Sequence, residues 1–387
     1  MRLFREYRPA AAAFLLMMSM ALTTTALSFF VTPVCEELSL GRGSFSIYYS
    51  LMTASGAAAV PVLGQVIQKR GLRLVVVVSA IWVSLGFLSF SISGEMWMFY
   101  AAGAWMGAFG TACVSLCASV IVQQSYSGSK ASGILGVVMS GSGVGGMVIS
   151  LLMPALLREV GWRWGYRILA ACWLLLGLLA LALLGKDPLD RGGEQQKTDA
   201  DGMTRAQALR SPRLYLLILV SFLLSAACGI QQQLPSVLAG YGFTPERVGV
   251  MISFFTAALA LGKIGQGLFY GKVGAVRGGV CIVVLFAVSF GLLLAPGLVW
   301  LGLPALAVGM GTVTTLLPLL TRINFGSREY ASIWGILYSA ANLGTLAATP
   351  LFGLVYDMKG SYNAAMLVSL GAIGLCAVLL ALMPSEM

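Results

Sequence analysis

Residues Phe243–Arg277 read FTPERVGVMISFFTAALALGKIGQGLFYGKVGAVR and decide the fold class of this chain. The 24 residues between Arg247 and Lys272 include one ionised side chain, Lys263. A helix rises about 1.5 Å per residue, so this segment is long enough to cross a bilayer core of about 30 Å. A lysine at such a depth costs about 2.5–3.5 kcal/mol unless it faces water or an anion. We therefore predict a transmembrane helix with a functional cation inside it.

The composition extends this conclusion to the whole chain. Of the 387 residues, 58% are hydrophobic and 10% are charged, against about 25% charged residues in an ordinary soluble domain. The net charge of +10 does not indicate nucleic acid, because the basic residues lie between apolar runs rather than in one stripe. Histidine is absent, which excludes His-ligated metals and imidazole catalysis. We expect a membrane protein with no metal, no cofactor and no nucleic-acid partner.

Apolar runs recur along the chain and are interrupted by one long polar segment, Lys186–Arg213. The first run follows three arginines like a signal peptide, but it is longer than a typical apolar signal region, so we expect an uncleaved helix. The runs lie at residues 10–34, 46–67, 74–93, 97–122, 132–157, 165–185, 214–240, 247–271, 278–296, 299–321, 331–356 and 364–383. We predict an all-α membrane protein of twelve transmembrane helices, with six-helix halves at 1–185 and 214–387 and a cytoplasmic loop at 186–213.

The basic residues of the loops orient these spans. If both termini are cytoplasmic, 17 of the 24 Lys and Arg residues lie in cytoplasmic segments and 6 in outer segments, with Lys263 as the remaining one. Cytoplasmic loops of membrane proteins carry such an excess of Lys and Arg. We therefore predict a multi-pass protein of the cytoplasmic membrane with both termini inside the cell.

Glycine, lysine and serine positions repeat between the two predicted halves. Two constant offsets, 203 and 199 residues, relate the matching positions. The pairs at the first offset are Gly64/Gly267, Lys69/Lys272, Gly71/Gly274 and Ser50/Ser253, and those at the second are Gly136/Gly335, Ser140/Ser339, Gly145/Gly344 and Gly161/Gly360. A parallel repeat joined by a polar linker predicts a substrate site midway between the repeats.

The predicted spans and the Gly-x4-Lys-x-Gly loops after the second and eighth of them resemble the major facilitator superfamily. The resemblance implies a monomeric secondary transporter that works by alternating access and contacts membrane lipids. The loop residues Gly64, Lys69, Gly71, Gly267, Lys272 and Gly274 would then take part in conformational switching. That family usually carries an Asp at the fifth loop position. This chain has Gln68 and Gly271 there, so the charge pair that often latches one conformation is not implied.

Shorter motifs resemble the oxalate/formate antiporter and monocarboxylate transporter branch of that superfamily. They are FVTPVCEEL at 30–38, FSIYYS at 45–50, GWR at 161–163 and SPR at 211–213. In this branch an Arg in the eighth span, followed four residues later by Gly, holds the substrate carboxylate. Lys263 followed by Gly267 fits that spacing, with the point charge of Lys in place of the planar fork of Arg.

Two further positions narrow the implied substrate. Monocarboxylate carriers often place an Asp one turn before the Arg, and the residue at that position here is Leu259. The oxalate carrier has a second cation three residues after a Trp, and the residue at that position here is Leu337. One buried cation without a second favours a monoanion, because an unmatched charge is costly at low dielectric. The resemblance therefore implies a small organic anion, and a monocarboxylate first, as the substrate.

Polar side chains near the middles of other spans are weaker candidates for substrate contact. They are Thr24, Thr25, Gln231, Gln232, Thr314, Trp334, Tyr338 and Asn342. A Thr in a membrane helix more often bonds its own backbone or a neighbouring helix. For Lys263, the alternative is that the ammonium reaches the headgroups. That would need about 14 Å along the helix, more than the lysine stem supplies.

Other functions remain open from the residues alone. An exporter of hydrophobic drug-like or other small metabolites is the main alternative, although a fixed positive charge repels cationic cargo. A receptor without transport would need a larger cytoplasmic segment than Lys186–Arg213. An intramembrane enzyme would need an acid, a base or a nucleophile at depth, and the 14 acids all map to loops or span ends, so we predict that the chain is not an enzyme.

Overall fold

Long apolar α-helices make up almost all of the described chain. The computed structural model describes residues 2–40, 42–184 and 202–382, so most of the predicted loop at 186–213 lies outside the described residues. The helices are α1 (Arg2–Thr23), α2 (Thr25–Glu37), α3 (Arg42–Arg70), α4 (Leu72–Ile92), α5 (Met96–Gly107), α6 (Thr111–Ser125), α7 (Gly128–Leu184), α8 (Arg205–Ala208), α9 (Pro212–Ala227), α10 (Leu234–Gly240), α11 (Pro245–Val273), α12 (Ala275–Leu293), α13 (Val299–Phe325), α14 (Tyr330–Lys359) and α15 (Asn363–Ala381), with 3₁₀ turns at Cys228–Gln232 and Pro296–Leu298.

Ten helical segments among the described residues are long and apolar enough to cross a membrane. They confirm an all-α, multi-pass membrane protein, whereas the count of twelve and the two-half layout stay predictions. The predicted span at 97–122 differs, because it is split into α5 and α6, which are 12 and 15 residues long. Glycines at Gly107 and Gly110 flank the break, and glycine is a poor helix former.

The predicted span at 247–271 lies within one helix, α11. Thr244 precedes the helix, and Pro245 occupies its first turn, where a missing N–H costs nothing. The helix has 29 residues, so its length of about 43 Å exceeds the bilayer core. It ends at Val273 because Gly274 has φ of 91° and ψ of 150°, a conformation that is essentially restricted to glycine.

Glycines that match between the predicted halves share one backbone conformation. Gly71, which separates α3 from α4, has φ of 88° and ψ of 158°, close to the values of its match Gly274. Gly161, the non-helical residue inside α7, and its match Gly360 also have positive φ values of 72° and 65°. One glycine pair from each sequence offset therefore has positive φ at both of its members.

The chain divides into two compact units. The first comprises Met1–Tyr126, Val138–Gly202 and Ser327–Ser339, and the second comprises Ser127–Val137, Met203–Gly326 and Ala340–Met387. The start of α7 thus belongs to the second unit, and the start of α14 belongs to the first. The predicted domain boundaries at 1–185, 186–213 and 214–387 stay a prediction.

Within the first unit, α3 and the start of α14 cross at glycines. Gly64 lies directly against the carbonyl group of Ala331, and a β-carbon added at Gly335 would lie 3.0 Å from the carbonyl oxygen of Val60. The hydroxyl of Ser339 donates a hydrogen bond of 2.5 Å to the carbonyl oxygen of Ala57. Small residues allow two membrane helices to approach this closely.

Within the second unit, α11 and the start of α7 make the equivalent crossing. A β-carbon added at Gly267 would lie 2.9 Å from the Cα of Gly136, and Gly136 lies directly against the carbonyl oxygen of Lys263. The carbonyl group of Val60 packs on Gly335, and the carbonyl group of Lys263 packs on Gly136. Val60 and Lys263 are 203 residues apart, which is one of the two offsets found in the sequence. This crossing fixes the backbone of Lys263 against α7.

Candidate functional site

Lys263 lies inside α11, and its side chain is half-buried. The aliphatic stem passes beside Gly311 of α13, because a β-carbon added at Gly311 would lie 3.2 Å from the Cγ of Lys263. The thiol of Cys228, in the 3₁₀ turn after α9, lies within electrostatic range of the ammonium. Three elements of the second unit therefore surround the lysine that the sequence singles out.

Gln266, one helical turn beyond Lys263, ties α11 to α13. Its side chain is 2% exposed, and its amide N–H donates to the carbonyl oxygen of Val308. Its carbonyl oxygen accepts a hydrogen bond from the hydroxyl of Thr315, which also lies 3.0 Å from the carbonyl oxygen of Gly311. A buried amide with both ends bonded holds the two helices at a fixed separation.

The part of α11 that carries Lys263 and the two helices that follow it, α12 and α13, contain no acidic residue. Residues 247–325, which include all of α12 and α13, contain no Asp or Glu. Within the sequence ranges of the second unit, the acids are Glu246, Asp357 and Glu386. Glu246 is 17 positions before Lys263, about 25 Å along the same helix. On the stretch of chain from 247 to 325, Lys263 therefore has no Asp or Glu near it in sequence.

Other predicted site residues of the second unit have different surroundings. Gln231 is exposed, and Asn342 of α14 is half-buried. Gln232 belongs to the 3₁₀ turn, and its side chain lies outside the described residues. Thr314 donates a hydrogen bond of 3.2 Å to the carbonyl oxygen of Gly311, within its own helix. The Thr314 hydroxyl therefore bonds its own backbone, which is the ordinary structural role of threonine in a membrane helix.

The predicted site residues of the first unit form two groups. Thr24 separates α1 from α2, and its hydroxyl donates a hydrogen bond of 3.0 Å to the carbonyl oxygen of Met20. Thr25 is half-buried, and its hydroxyl oxygen would lie 3.2 Å from a β-carbon at Gly146. Trp334 and Tyr338 pack with ring centroids 5.4 Å apart and are 0% and 6% exposed. A common substrate site with Lys263 stays a prediction for all four residues.

The residues of the two Gly-x4-Lys-x-Gly loops make contacts through the backbone and through one side-chain hydrogen bond. Lys69 and Lys272 are exposed at the ends of their helices. Gln68, at the position where the superfamily usually carries Asp, donates its amide N–H to the carbonyl oxygen of Arg328 at 2.6 Å. Gly271, at the matching position, lies so close to Ser129 that an added β-carbon would be 3.0 Å from the Ser129 carbonyl oxygen. Neither contact needs a charged side chain.

Two of the short motifs quoted above meet in the first unit. Glu37, from the segment at 30–38, accepts a 2.6 Å hydrogen bond from the indole N–H of Trp162 and pairs with the guanidinium of Arg163. The hydrogen bond from Arg163, and then that from Trp162, lower the pKa of the Glu37 carboxyl below its ordinary value of 4.5. Both partners of the ion pair are partly exposed, with side-chain exposures of 41% and 49%, so its net contribution is small.

Gln266 and Gly311 are site residues that the sequence reasoning missed. Gln266 could have been found from its spacing, since it follows Lys263 by three positions on the same helix. Gly311 could not, because nothing in its neighbourhood distinguishes it from the other glycines of a chain that contains 47.

Sequence comparison finds relatives among transporters. A fungal MFS-type transporter from Gibberella moniliformis is 25% identical over 308 residues, covering 78% of this chain and 73% of the relative. The nitrite extrusion protein of Bacillus subtilis is 24% identical over 354 residues, covering 87% and 84%. The agnestins efflux protein of Paecilomyces divaricatus is 25% identical over 214 residues, covering 54% and 47%.

Structural comparison agrees with the sequence relatives at the level of the fold. The crystal structure of the human organic anion transporter MFSD10 (TETRAN) superimposes with a TM-score of 0.75 at 17% identity, covering 97% of this chain and 99% of that one. The sequence profile of the Major Facilitator Superfamily matches residues 11–349. The chain therefore belongs to the Major Facilitator Superfamily, whose members are membrane transporters.

Proposed function

We propose that this transporter moves a small organic anion, and a monocarboxylate first, across the cytoplasmic membrane, with Lys263 as the cationic partner of the substrate. The observation that carries the proposal is the placement of Lys263 inside α11. It is the single Lys or Arg between Arg247 and Lys272, in a run from 247 to 325 without any carboxylate. An ammonium at that depth is costly, and an anionic substrate would offset the cost during transport.

A monoanion fits this environment better than a dianion. Both carboxylates of a dianion would need a cation at low dielectric, and the position of the second cation in oxalate carriers is Leu337 here. One relative, the nitrite extrusion protein, is named for a monoanion and matches 87% of this chain. That name supports a site for one negative charge.

Binding and transport by purified protein test the proposal. Lactate, oxalate and a lipophilic cation would be compared by ligand-induced thermal shift and by counterflow in proteoliposomes. We expect lactate to compete best. Lys263→Gln should weaken lactate binding about ten- to a hundredfold, because a hydrogen bond to a charged group is worth about 1.5–3 kcal/mol. Lys263→Arg keeps the charge and should retain part of the binding.

Arg247→Gln is the matched control, because it removes a positive charge from the start of the same helix, away from Lys263. It should leave lactate affinity within about twofold of the parent, since charges near solvent are screened. If Lys263→Gln binds and transports lactate like the parent, the anion assignment fails. Stronger competition by oxalate than by lactate would mean that a second cation faces the substrate.

Export of a hydrophobic drug-like or other small metabolite is the second candidate, and the name of one relative, the agnestins efflux protein, favours it. The two candidates differ in their requirement for Lys263. An exporter of neutral or cationic metabolites should keep its transport rate in Lys263→Gln, whereas an anion carrier should lose it.

A further inference from the structure

We propose that Gly311 and Gln266 are positioning residues that fix where the side chain of Lys263 presents its ammonium, an inference that rests on the proposed role of Lys263 as partner of the anion. Gly311 provides a notch in α13 for the lysine stem. Gln266 sets the distance between α11 and α13 at that notch. Together they would determine the depth of the charge inside the second unit.

The notch follows from the contacts of Gly311. A β-carbon at this position would lie 3.0 Å from the Oε1 of Gln266, 3.2 Å from its Nε2 and 3.2 Å from the Cγ of Lys263. These distances are tighter than ordinary van der Waals contact, so a methyl group would press on both side chains and force each to move by a few tenths of an ångström. The space that Gly311 leaves open is occupied by the two side chains of α11.

Of the two neighbours, the lysine stem is the one that would move further. The amide of Gln266 is bonded at both ends, to Val308 and to Thr315, and cannot shift without stretching those bonds. The backbone of Lys263 cannot retreat either, because its carbonyl oxygen lies against Gly136 of α7. The four-carbon stem of Lys263 has more rotatable bonds than the side chain of Gln266, so its methylenes adjust more readily. Gly311→Ala should therefore displace the ammonium and leave both helices in place.

Ligand-free stability tests the contact without any assumption about transport. Thermal unfolding in detergent would be measured for Gly311→Ala, Lys263→Ala and the double variant. Gly265→Ala is the matched control, since an added β-carbon there meets nothing within 4 Å. Relative to that control, Gly311→Ala should lower the melting temperature by a few degrees in the parent. The decrease should shrink in the Lys263→Ala background, where the Cγ is missing. An equal decrease in both backgrounds would show that Gly311 serves helix packing alone, and would overturn the proposal.

The reactivity of Cys228 reports where the ammonium lies. Its rate of alkylation by iodoacetamide, followed by peptide mass spectrometry, would be compared in the parent, Lys263→Gln and Gly311→Ala. We expect the rate in Gly311→Ala to move toward that of Lys263→Gln. Gly265→Ala should keep the parent rate. A rate in Gly311→Ala equal to that of the parent, while Lys263→Gln differs, would mean that the ammonium stays in place, and would contradict the proposal.

Lactate counterflow then connects the position of the charge to binding. Gly311→Ala should raise the apparent KM for lactate about three- to tenfold with a smaller change in maximal rate, because a shift of a few tenths of an ångström weakens a charged contact without removing it. Gln266→Met, which keeps the length of the side chain and removes its hydrogen bonds, should act in the same direction. In a Lys263→Gln background, neither substitution should change the KM further.

The outcomes separate the two proposals. If the parent does not transport lactate while the stability cycle and Cys228 alkylation both couple Gly311 to Lys263, the anion assignment fails and the positioning contact stands. If Lys263→Gln impairs lactate transport and Gly311→Ala leaves KM unchanged, the anion assignment stands and the positioning role is wrong. An additive effect of Gly311→Ala and Lys263→Gln on KM would also contradict the positioning role.

Discussion

The side-chain amide of Gln68, at the end of α3, donates a hydrogen bond of 2.6 Å to the carbonyl oxygen of Arg328. The matching pair at the two offsets is Gly271 and Ser129, which meet by close backbone packing without a side chain. Two equivalent places in the fold are thus held by different means, a neutral amide in one and a glycine in the other. Neither contact involves a charged side chain at the position where the superfamily usually carries Asp.

The Gln68 contact predicts a substitution pattern that differs from family expectation. Gln68→Ala should lower the free energy of unfolding by about 0.5–1.5 kcal/mol, the net worth of one hydrogen bond. Gln68→Asp should not restore the loss, because an ionised carboxylate has no proton to donate to the Arg328 carbonyl oxygen. Thermal unfolding in detergent would measure both variants.

Gln65→Ala is the control for Gln68, one turn earlier on α3. The amide of Gln65 bonds the carbonyl oxygen of Pro61 in its own helix, at 3.1 Å. Gln65→Ala should lower the free energy of unfolding less than Gln68→Ala does, because Ala is a better helix former than Gln. Equal destabilisation by Gln65→Ala and Gln68→Ala would contradict a special role for the contact with Arg328.

The glycines that end α3 and α11 predict matched strain. Gly71→Ala and Gly274→Ala should each destabilise the protein by about 1–3 kcal/mol, because φ near 90° with ψ near 155° is essentially restricted to glycine. Gly249→Ala on α11 should be neutral or stabilising, since an added β-carbon there meets nothing within 4 Å. Melting temperatures of the three variants check this. A melting temperature of Gly274→Ala equal to that of the parent would mean that the backbone relaxes at this position.

The ion pair of Glu37 and Arg163 predicts a pH-dependent difference in stability. The folded-state pKa of Glu37 lies below its ordinary value of 4.5, so its contribution is present above pH 4.5 and is lost as the pH falls through the lowered pKa. Glu37→Gln should therefore be slightly less stable than the parent at pH 7 and equally stable at strongly acid pH. Glu36→Gln, at the neighbouring exposed residue, is the control. A difference that does not change between pH 7 and pH 3 would rule out the ion pair as its cause.

The charge asymmetry of 17 against 6 predicts the orientation in the membrane. Reporter fusions after Asp190, in the polar loop, and at the C-terminus should both report the cytoplasm. A fusion after Gly242, between α10 and α11, should report the outer side. A cytoplasmic signal from the last fusion would reverse the predicted orientation of the second half.

Much of the fold follows from local rules that a sequence states directly. The length and apolarity of residues 247–271 predicted α11, because a bilayer admits a segment only when its backbone is hydrogen-bonded internally. Gly71 and Gly274 could be paired by spacing alone, since a positive φ demands glycine wherever the fold repeats. Lys263 was recognisable from the sequence because the free-energy cost of a charge in a membrane span depends on its depth, which the length of the span gives.

Contacts between distant segments were decided by the tertiary structure alone. Gly311 and Gln266 matter because α13 packs on α11 at one register, and no local pattern specifies which glycine of α13 faces Lys263. The amide of Gln68 donates a hydrogen bond to the carbonyl oxygen of Arg328, which lies 260 positions away in the chain. The sequence alone predicted the long apolar spans and the glycines that end α3 and α11, because these features depend on each segment and its solvent. Packing between helices depends on surfaces that exist only after the chain has folded.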